Sequence, residues 1–188
     1  MDGFTKRTEE KQQAILHAAY ELMLEKQSRF TISELARKAS VSPVSIYNYY
    51  GSKEQVILSV ISRMTEEQMN WIDEQIQSRV AFEHLIVNIL TRKIETAALF
   101  DEVITKMIQT DPHWEQLATK GYTAFAHLIE YGKEQGAIDA NLSTESYLRY
   151  VQLMQQAIMS DPSFSVSDMK VTMKDYFHFF LNGIMRRE

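Results

Sequence analysis

The stretch TISELARKASVSPVSIYNYYGSKE, residues 31–54, decides the fold of this chain. It contains two short segments with apolar residues at helical spacing, and each follows a residue type that caps helices. Thr31 and Glu34 have the spacing of a capping box, in which each side chain accepts a hydrogen bond from the backbone of the other residue. Ser42 followed by Pro43 marks a second helix start. Proline is tolerated at the first helical position because the N–H that it lacks would have no helical partner there. We therefore expect one short helix after each cap.

The apolar residues of these two helices predict a buried side for each. In the first helix they recur at helical spacing, at Ile32, Leu35, Ala36 and Ala39. In the second helix, Ile46 and Tyr50 lie four residues apart and suit a core. Val44, Ser45 and Asn48 share a different face, which is the one that a DNA groove would meet. Two capped helices joined by a tight turn predict a helix-turn-helix, so duplex DNA is the expected partner.

The flanking segments complete a small helical domain. Upstream, five apolar residues at helical spacing predict a helix that packs on the motif: Ile15, Ala18, Ala19, Leu22 and Met23. Downstream, Gly51 ends the second helix by tolerating positive φ, and Ser52 with Gln55 forms another capping box. That box opens a long helix, which we expect to run to about Gln77.

This region resembles the TetR family of bacterial transcriptional regulators over the first quarter to third of the chain. The segment SVSPVSIYNYYGSKEQVILSVI, residues 40–61, is similar to the family's recognition helix and the start of its next helix. The residues that carry the likeness are Ser42, Ser45, Ile46, Tyr47, Tyr50, Ser52, Lys53 and Glu54. The family commonly has glycine where this chain has Ser40 and Val44. A left-handed turn would strain Ser40 by about 1 kcal/mol, and the bulk of Val44 would change which bases are accepted.

The resemblance implies an all-α protein, a repressor that binds a pseudo-palindromic operator as a homodimer and responds to a small molecule. We expect a helix-turn-helix DNA-binding domain at residues 1–51 and a helical ligand-binding and dimerisation domain at residues 52–188. The chain has only 6 Gly and 3 Pro and no run with strand alternation, which also favours an all-helical fold. The body helices are predicted at about 80–93, 95–110, 112–135, 144–160 and 166–187.

The expected DNA contacts fall into two groups. Phosphates are expected to meet basic and hydroxyl side chains, namely Lys6, Arg7, Thr31, Tyr47 and Lys53. Bases are expected to meet Pro43, Val44, Ser45 and Asn48, and a bidentate pair of Asn48 with adenine would be the most specific contact. Ser42 and Tyr49 complete the predicted interface. Asn48 also fits a solvated helix face, and that alternative stays open.

Large or adaptable side chains in the body are candidates for the effector pocket that the resemblance implies. They are Trp71, Phe100, Met107, Trp114, Tyr122, Phe125, Tyr131 and Met154. Each of them also fits an ordinary core. Polar anchors for an effector are expected among Glu95, Asp101, Glu102, His127 and Glu130. This acidic bias would favour a cationic effector, although exposed carboxylates are common on helix surfaces.

The last two predicted helices carry apolar stripes that are candidates for a dimer interface. The candidate residues are Tyr147, Val151, Ile158, Met173, Phe177, Phe180 and Ile184. A helix that packs only on its own core explains the final stripe equally well. The resemblance favours a dimer, because TetR-like proteins pair through their two C-terminal helices and a twofold pair presents two recognition helices to DNA.

Composition and charge agree with a DNA-binding head on an acidic body. Residues 1–53 hold 8 Lys or Arg against 6 Asp or Glu, whereas residues 54–188 hold 12 against 19. A basic head fits binding to phosphates. The start MDGFTKRTEEKQQ is too polar for a signal peptide and no stretch approaches about 20 apolar residues, so we expect a cytoplasmic protein with no membrane partner. The absence of cysteine excludes disulfides and thiolate zinc sites.

Two other classes of function stay open. A helical enzyme would need catalytic or metal-ligating groups at fixed spacing. No two histidines lie three or four residues apart, and Glu-x-x-His, glycine-rich phosphate-loop and Gly-x-Ser-x-Gly patterns are absent, so no catalytic residue, cofactor or metal is predicted. An architectural DNA-binding protein would keep the motif and use the body only for dimerisation. Ligand-dependent release of DNA separates that class from a regulator.

Overall fold

The computed structural model describes residues 3–97, 99–160 and 175 of the chain. Its α-helices are α1 Gly3–Lys26, α2 Ile32–Lys38, α3 Pro43–Tyr50, α4 Lys53–Gln77, α5 Phe82–Ala97, α6 Glu102–Thr110, α7 Trp114–Glu134 and α8 Thr144–Ser160. A 3-10 turn at Gln27–Arg29 joins α1 to α2. Every regular element in this part of the chain is helical, which confirms the predicted fold class. None of these helices is long and apolar enough to cross a membrane.

The chain divides into two compact units. The first contains Met1–Glu66 and Ala98–Trp114, and the second contains Glu67–Ala97 and Glu115–Glu188. α4 runs from the first unit into the second, and the segment with α6 belongs to the first although its neighbours in sequence belong to the second. A domain boundary after residue 51 stays a prediction, because this division shows which residues pack together and not which segment folds alone.

The first unit packs around the helix-turn-helix. The five apolar residues predicted on α1 are all buried, with at most 5% exposure. Leu35 and Ala36 of α2 bury against the same core as Ile46 of α3. Leu99 and Ile104, from the segment of α6, join this core as well. Helices as short as α2 and α3 are marginal in water, so they depend on this burial, which contributes roughly 1.5–3 kcal/mol for each large apolar side chain.

The second unit has a separate core built from α4, α5, α7 and α8. Its buried members include Ile72, Phe82, Leu85, Ile129, Ile138 and Tyr147. Gly132 on α7 lies where a Cβ atom would approach Phe82 and Ile138 to 2.7 Å, so only glycine allows this packing. The hydroxyl of Tyr131 donates to the carbonyl of Val80 and ties α7 to the connection between α4 and α5.

The ends of three body helices differ from their predicted positions, whereas the helix predicted at 144–160 is confirmed as α8. α5 runs from Phe82 to Ala97, α6 begins only at Glu102, and α7 is one to two residues shorter than predicted at each end. The late start of α6 has a physical cause, because Asp101 caps it and Leu99 before the cap is buried in the first core. The helix predicted at 166–187 lies outside the described residues.

The turn between α2 and α3 contains a left-handed serine. Ser40 has a φ of 55°. Its N–H donates to the Arg37 carbonyl at 3.3 Å and the N–H of Val41 donates to the Ala36 carbonyl at 3.0 Å, the pair of bonds in a Schellman cap. α7 ends with the same pair of bonds, but there the left-handed residue is Gly136, with a φ of 73°. The strain expected at Ser40 is therefore present.

Ser40→Gly should stabilise the protein by ~0.5–1 kcal/mol, because glycine enters the left-handed region without the steric cost of a Cβ atom. The measurement is urea unfolding followed by circular dichroism. Ser33→Gly is the matched control, since Ser33 is an exposed serine inside α2, where glycine should destabilise by about 0.5 kcal/mol. A lower unfolding midpoint for Ser40→Gly than for the wild type would contradict the left-handed turn.

Candidate nucleic-acid interface

α3 is held by one face and exposes the other. Ser42 caps the helix by accepting the N–H of Ser45 at 3.1 Å, and a proline occupies the first helical position. Ile46 is fully buried. The hydroxyl of Tyr50 donates to the carbonyl of Gln12 on α1 at 3.1 Å, and burial raises the pKa of this phenol, which keeps it protonated. Because these contacts hold one side of an eight-residue helix, they also determine the side that faces solvent.

The exposed face of α3 carries the residues predicted to read bases. Val44 is 64% exposed and Tyr47 is 51% exposed, and Asn48 is exposed beside them. Ser45 is half-buried, and its hydroxyl shares a hydrogen bond with the hydroxyl of Ser42 at 2.9 Å. This face offers an apolar surface, a phenol and a carboxamide. These groups suit a thymine methyl group, a phosphate and the major-groove edge of adenine, respectively.

The other predicted DNA contacts differ in their surroundings. Lys6 and Arg7 are exposed near the start of α1, and Pro43 is exposed at the start of α3. Thr31 is exposed, and its hydroxyl accepts the backbone N–H of Glu34 in the first turn of α2, as the capping box predicts. Tyr49 is half-buried and packs against the core of the first unit. Packing therefore accounts for Tyr49 without a DNA contact.

Ion pairs fix α2 against the end of α1. Lys26 pairs with Glu34, and Lys38 pairs with Glu25 at 3.0 Å. Glu34 also accepts the backbone N–H of Thr31 at 2.8 Å, which completes the capping box. The hydrogen bond from Lys26, followed by the one from the Thr31 backbone, lowers the pKa of Glu34 to about 2. The carboxylate is therefore charged at any pH near neutrality, and both partners keep their hydrogen bonds.

Charged side chains hold the 3-10 turn between α1 and α2 from two sides. Ser28 is 6% exposed, and its N–H at 3.0 Å and its hydroxyl at 2.6 Å both donate to Oδ2 of Asp101. Nζ of Lys53 donates to the carbonyl of Ser28 at 2.9 Å and to the carbonyl of Phe30 at 3.2 Å. The same ammonium lies 5.5 Å from the centre of the Phe30 ring. Two of the three donors of Lys53 thus bind protein carbonyls, and its predicted phosphate contact stays a prediction.

Asp101 is predicted as a polar anchor for an effector, but it lies within the first unit. Its Oδ1 accepts the N–H of Ile104 at 2.9 Å, while Oδ2 binds Ser28. Burial alone would raise the pKa of this carboxyl, but the hydrogen bonds from Ser28 and Ile104 outweigh burial and hold the pKa below its usual value. The sequence offers a cap signal at Asp101, followed by Glu102, that would have marked the start of α6. Nothing local signals its bond to Ser28.

The predicted effector-pocket residues are divided between the two units. Those packed against the core of the first unit are Phe100, Met107 and Trp114. Those half-buried in the second unit are Trp71, Tyr122, Phe125 and Met154. Tyr131 is 2% exposed and belongs to the core of the second unit. The remaining predicted polar anchors are exposed, namely Glu95, Glu102, His127 and Glu130. A single pocket formed by these side chains stays a prediction.

α8 exposes an apolar stripe formed by Tyr150 and Leu153. Tyr150 is 44% exposed and Leu153 is 52% exposed, and residues three apart share one face of a helix. Tyr147 is only 6% exposed and packs in the core of the second unit, so packing within its own chain accounts for it. Val151 is half-buried. The other predicted interface side chains lie outside what the structure describes: Ile158, Met173, Phe177, Phe180 and Ile184.

Comparisons with known proteins agree with this geometry. The profile of the family described as "Bacterial regulatory proteins, tetR family" matches residues 15–60. The HTH-type transcriptional regulator EthR of Mycolicibacterium smegmatis is 25% identical over 189 residues, which cover 94% of this chain and 87% of that protein. The uncharacterized HTH-type transcriptional regulator YdeS of Bacillus subtilis is 29% identical over 150 residues, which cover 74% and 73% of the two chains.

A solved structure shares the whole fold. The transcriptional regulator FadR from Bacillus subtilis, crystallised in complex with stearoyl-CoA, superposes with a TM-score of 0.56. The superposition covers 92% of this chain and 98% of that chain, at 14% identity. At this identity the likeness concerns the fold.

α3 is a short capped helix beside α2, buried on one face and exposed on the other. Helix-turn-helix proteins present a helix of this kind to the major groove. With the regulators that it matches, this arrangement defines a DNA-binding transcriptional regulator of the helix-turn-helix class. Within that class, residues 15–60 match the TetR family, which confirms the resemblance noted at residues 40–61.

Proposed function

We propose that this regulator is a cytoplasmic repressor that binds a pseudo-palindromic operator as a homodimer and releases it when a small molecule binds its second unit. The exposed face of α3 carries the proposal, because Val44, Tyr47 and Asn48 point to solvent while Ile46 holds the opposite side. Two such faces in a twofold dimer would engage half-sites about 34–36 Å apart, or a multiple of that distance. A ligand that favours another spacing would then prevent simultaneous binding of both half-sites.

Asn48 is proposed to read one base pair. Asn48→Ala should weaken binding to the preferred duplex by ~1–3 kcal/mol and binding to random duplex much less, because it removes a bidentate contact with adenine. The duplex is selected from a random pool with the wild-type protein, and affinities are measured by fluorescence anisotropy at several salt concentrations. Arg7→Ala is the comparison variant, since loss of a phosphate contact should weaken both duplexes and reduce the salt slope by about 1. Equal losses on both duplexes for Asn48→Ala would exclude a role in base readout.

The stripe of Tyr150 and Leu153 on α8 is proposed to face the partner subunit. Leu153→Glu should shift the protein from dimer to monomer in sedimentation velocity, because it places a charge in an apolar contact. Leu142→Glu is the matched control, since Leu142 is 44% exposed in the same unit but lies before α8. Circular dichroism checks that both variants fold. A folded Leu153→Glu variant that still sediments as a dimer would place the interface elsewhere.

Effector control is supported by the shared fold with FadR, whose structure holds stearoyl-CoA. An effector that releases operator must bind free protein more tightly than DNA-bound protein, and the coupling is reciprocal and typically about 1–3 kcal/mol. Compounds found by thermal shift, with stearoyl-CoA as the first probe, are titrated calorimetrically against protein with and without the selected duplex. Affinity several-fold weaker in the presence of DNA is expected for an inducer. Equal affinities for every bound compound would favour an architectural DNA-binding protein.

A further inference from the structure

Ser28 is the point at which three segments of the first unit meet. Its N–H and hydroxyl bind Asp101 and its carbonyl binds Lys53, so all of its polar groups have partners. Asp101 precedes α6 and Lys53 begins α4. The connection between α1 and α2 is thus held by the starts of two other helices. Because Ser28 is buried, removal of either partner would leave a polar group unsatisfied, which is costly in a protein interior.

Asp101 serves two elements with one carboxylate. Oδ1 caps α6 through the N–H of Ile104, while Oδ2 accepts both bonds from Ser28. The carboxylate therefore fixes the start of α6 to the connection between α1 and α2. Hydrogen bonds to an ionised acceptor are about twice as strong as those between neutral groups. This connection is consequently held more firmly than a loop with only backbone contacts.

Lys53 acts on the same connection from the other side. Its ammonium binds the carbonyls of Ser28 and Phe30. Phe30 is 1% exposed and directly precedes Thr31, the residue that caps α2. The Phe30 backbone therefore lies directly beside the cap of α2. α3 follows after a turn of four residues, so a change at this point would move the face of α3 as well.

We propose that Asp101 and Lys53 are positioning residues for DNA binding, which orient the helix-turn-helix by clamping Ser28 between them. Their contribution to affinity arises inside the protein and not at a phosphate. This inference rests on the proposed binding of a specific duplex. On this proposal, the start of α6 helps to determine how α2 and α3 are held. The segment with α6 belongs to the first unit, although the chain before and after it belongs to the second.

The salt dependence of binding separates a positioning lysine from a phosphate contact. Lys53→Met retains much of the side-chain length and removes the charge, while Asp101→Ser retains an N-cap for α6 but has one oxygen and cannot also bind Ser28. The control is Gly136→Ala, which strains a left-handed turn of the second unit at φ +73° and leaves the first unit intact. All variants and the Lys53→Met/Asp101→Ser double variant are titrated with the duplex selected by the wild-type protein.

Each single variant should bind this duplex about tenfold more weakly, the loss expected for one charge-assisted hydrogen bond. The slope of log affinity against log salt should stay at the wild-type value, because no phosphate contact is lost. The double variant should lose less than the product of the two single losses, since both residues act on Ser28. Gly136→Ala should bind as the wild type does. In hydrogen exchange by NMR, the Ser28 amide should exchange faster in Asp101→Ser.

Three results would overturn the inference. A salt slope reduced by about 1 in Lys53→Met would make Lys53 a phosphate contact. Wild-type affinity in Asp101→Ser would separate Asp101 from DNA binding. Fully multiplicative losses in the double variant would show that Asp101 and Lys53 act independently and not through Ser28. If Asp101→Ser does not fold, Ser28→Ala replaces it, removes only the hydroxyl donor, and must show the same weaker binding at unchanged salt slope. Failure of the wild-type protein to enrich any duplex would instead contradict the proposed function.

Discussion

The burial of one side of α3 is the constraint on which the rest of the DNA-binding unit depends. A helix of eight residues has too few internal hydrogen bonds to be stable in water by itself. It persists because Ile46 is fully buried and the Tyr50 hydroxyl binds the Gln12 carbonyl. These contacts also leave Val44, Tyr47 and Asn48 in solvent. The same packing that stabilises the helix therefore selects the residues that can meet a base.

Local chemistry explains why the helix-turn-helix could be predicted almost to the residue. The caps at Thr31 and Ser42 act over three residues, so their signal is complete within a short window of sequence. The start of α6 could not be placed in this way. Helical periodicity continues through residues 95–110, but Leu99 is drawn into the core of the first unit and Asp101 binds Ser28, 73 residues away. A hydrogen-bond partner so distant in sequence cannot be predicted from local residue spacing.

Periodicity also fails to identify what a helix face packs against. Tyr147 and Tyr150 lie three residues apart, which is helical spacing for one face, yet Tyr147 is in the core of the second unit and Tyr150 is 44% exposed. When an apolar stripe is wider than one packing surface, some of its residues pack in the core and others lie on an exposed face. The same limit applies to Lys53, whose charge suggested a phosphate contact while two of its three donors bind the Ser28 and Phe30 carbonyls. The residue type limits the roles that a side chain can have, but its contacts in the fold determine which role it takes.

The distribution of charge over the folded units changes the electrostatic argument drawn from sequence. Residues 1–53 are net basic, but the first unit also includes residues up to 66 and the segment 98–114, and it then holds 10 Lys or Arg against 11 Asp or Glu. Its net charge of −1 gives no general attraction to DNA. Several acidic groups are already engaged, Glu34 with Lys26 and Asp101 with Ser28. Attraction must therefore come from basic residues such as Lys6 and Arg7, acting within a Debye length of about 8 Å. α3 itself carries no charged residue, so its contacts can discriminate between sequences while adding little affinity for DNA in general.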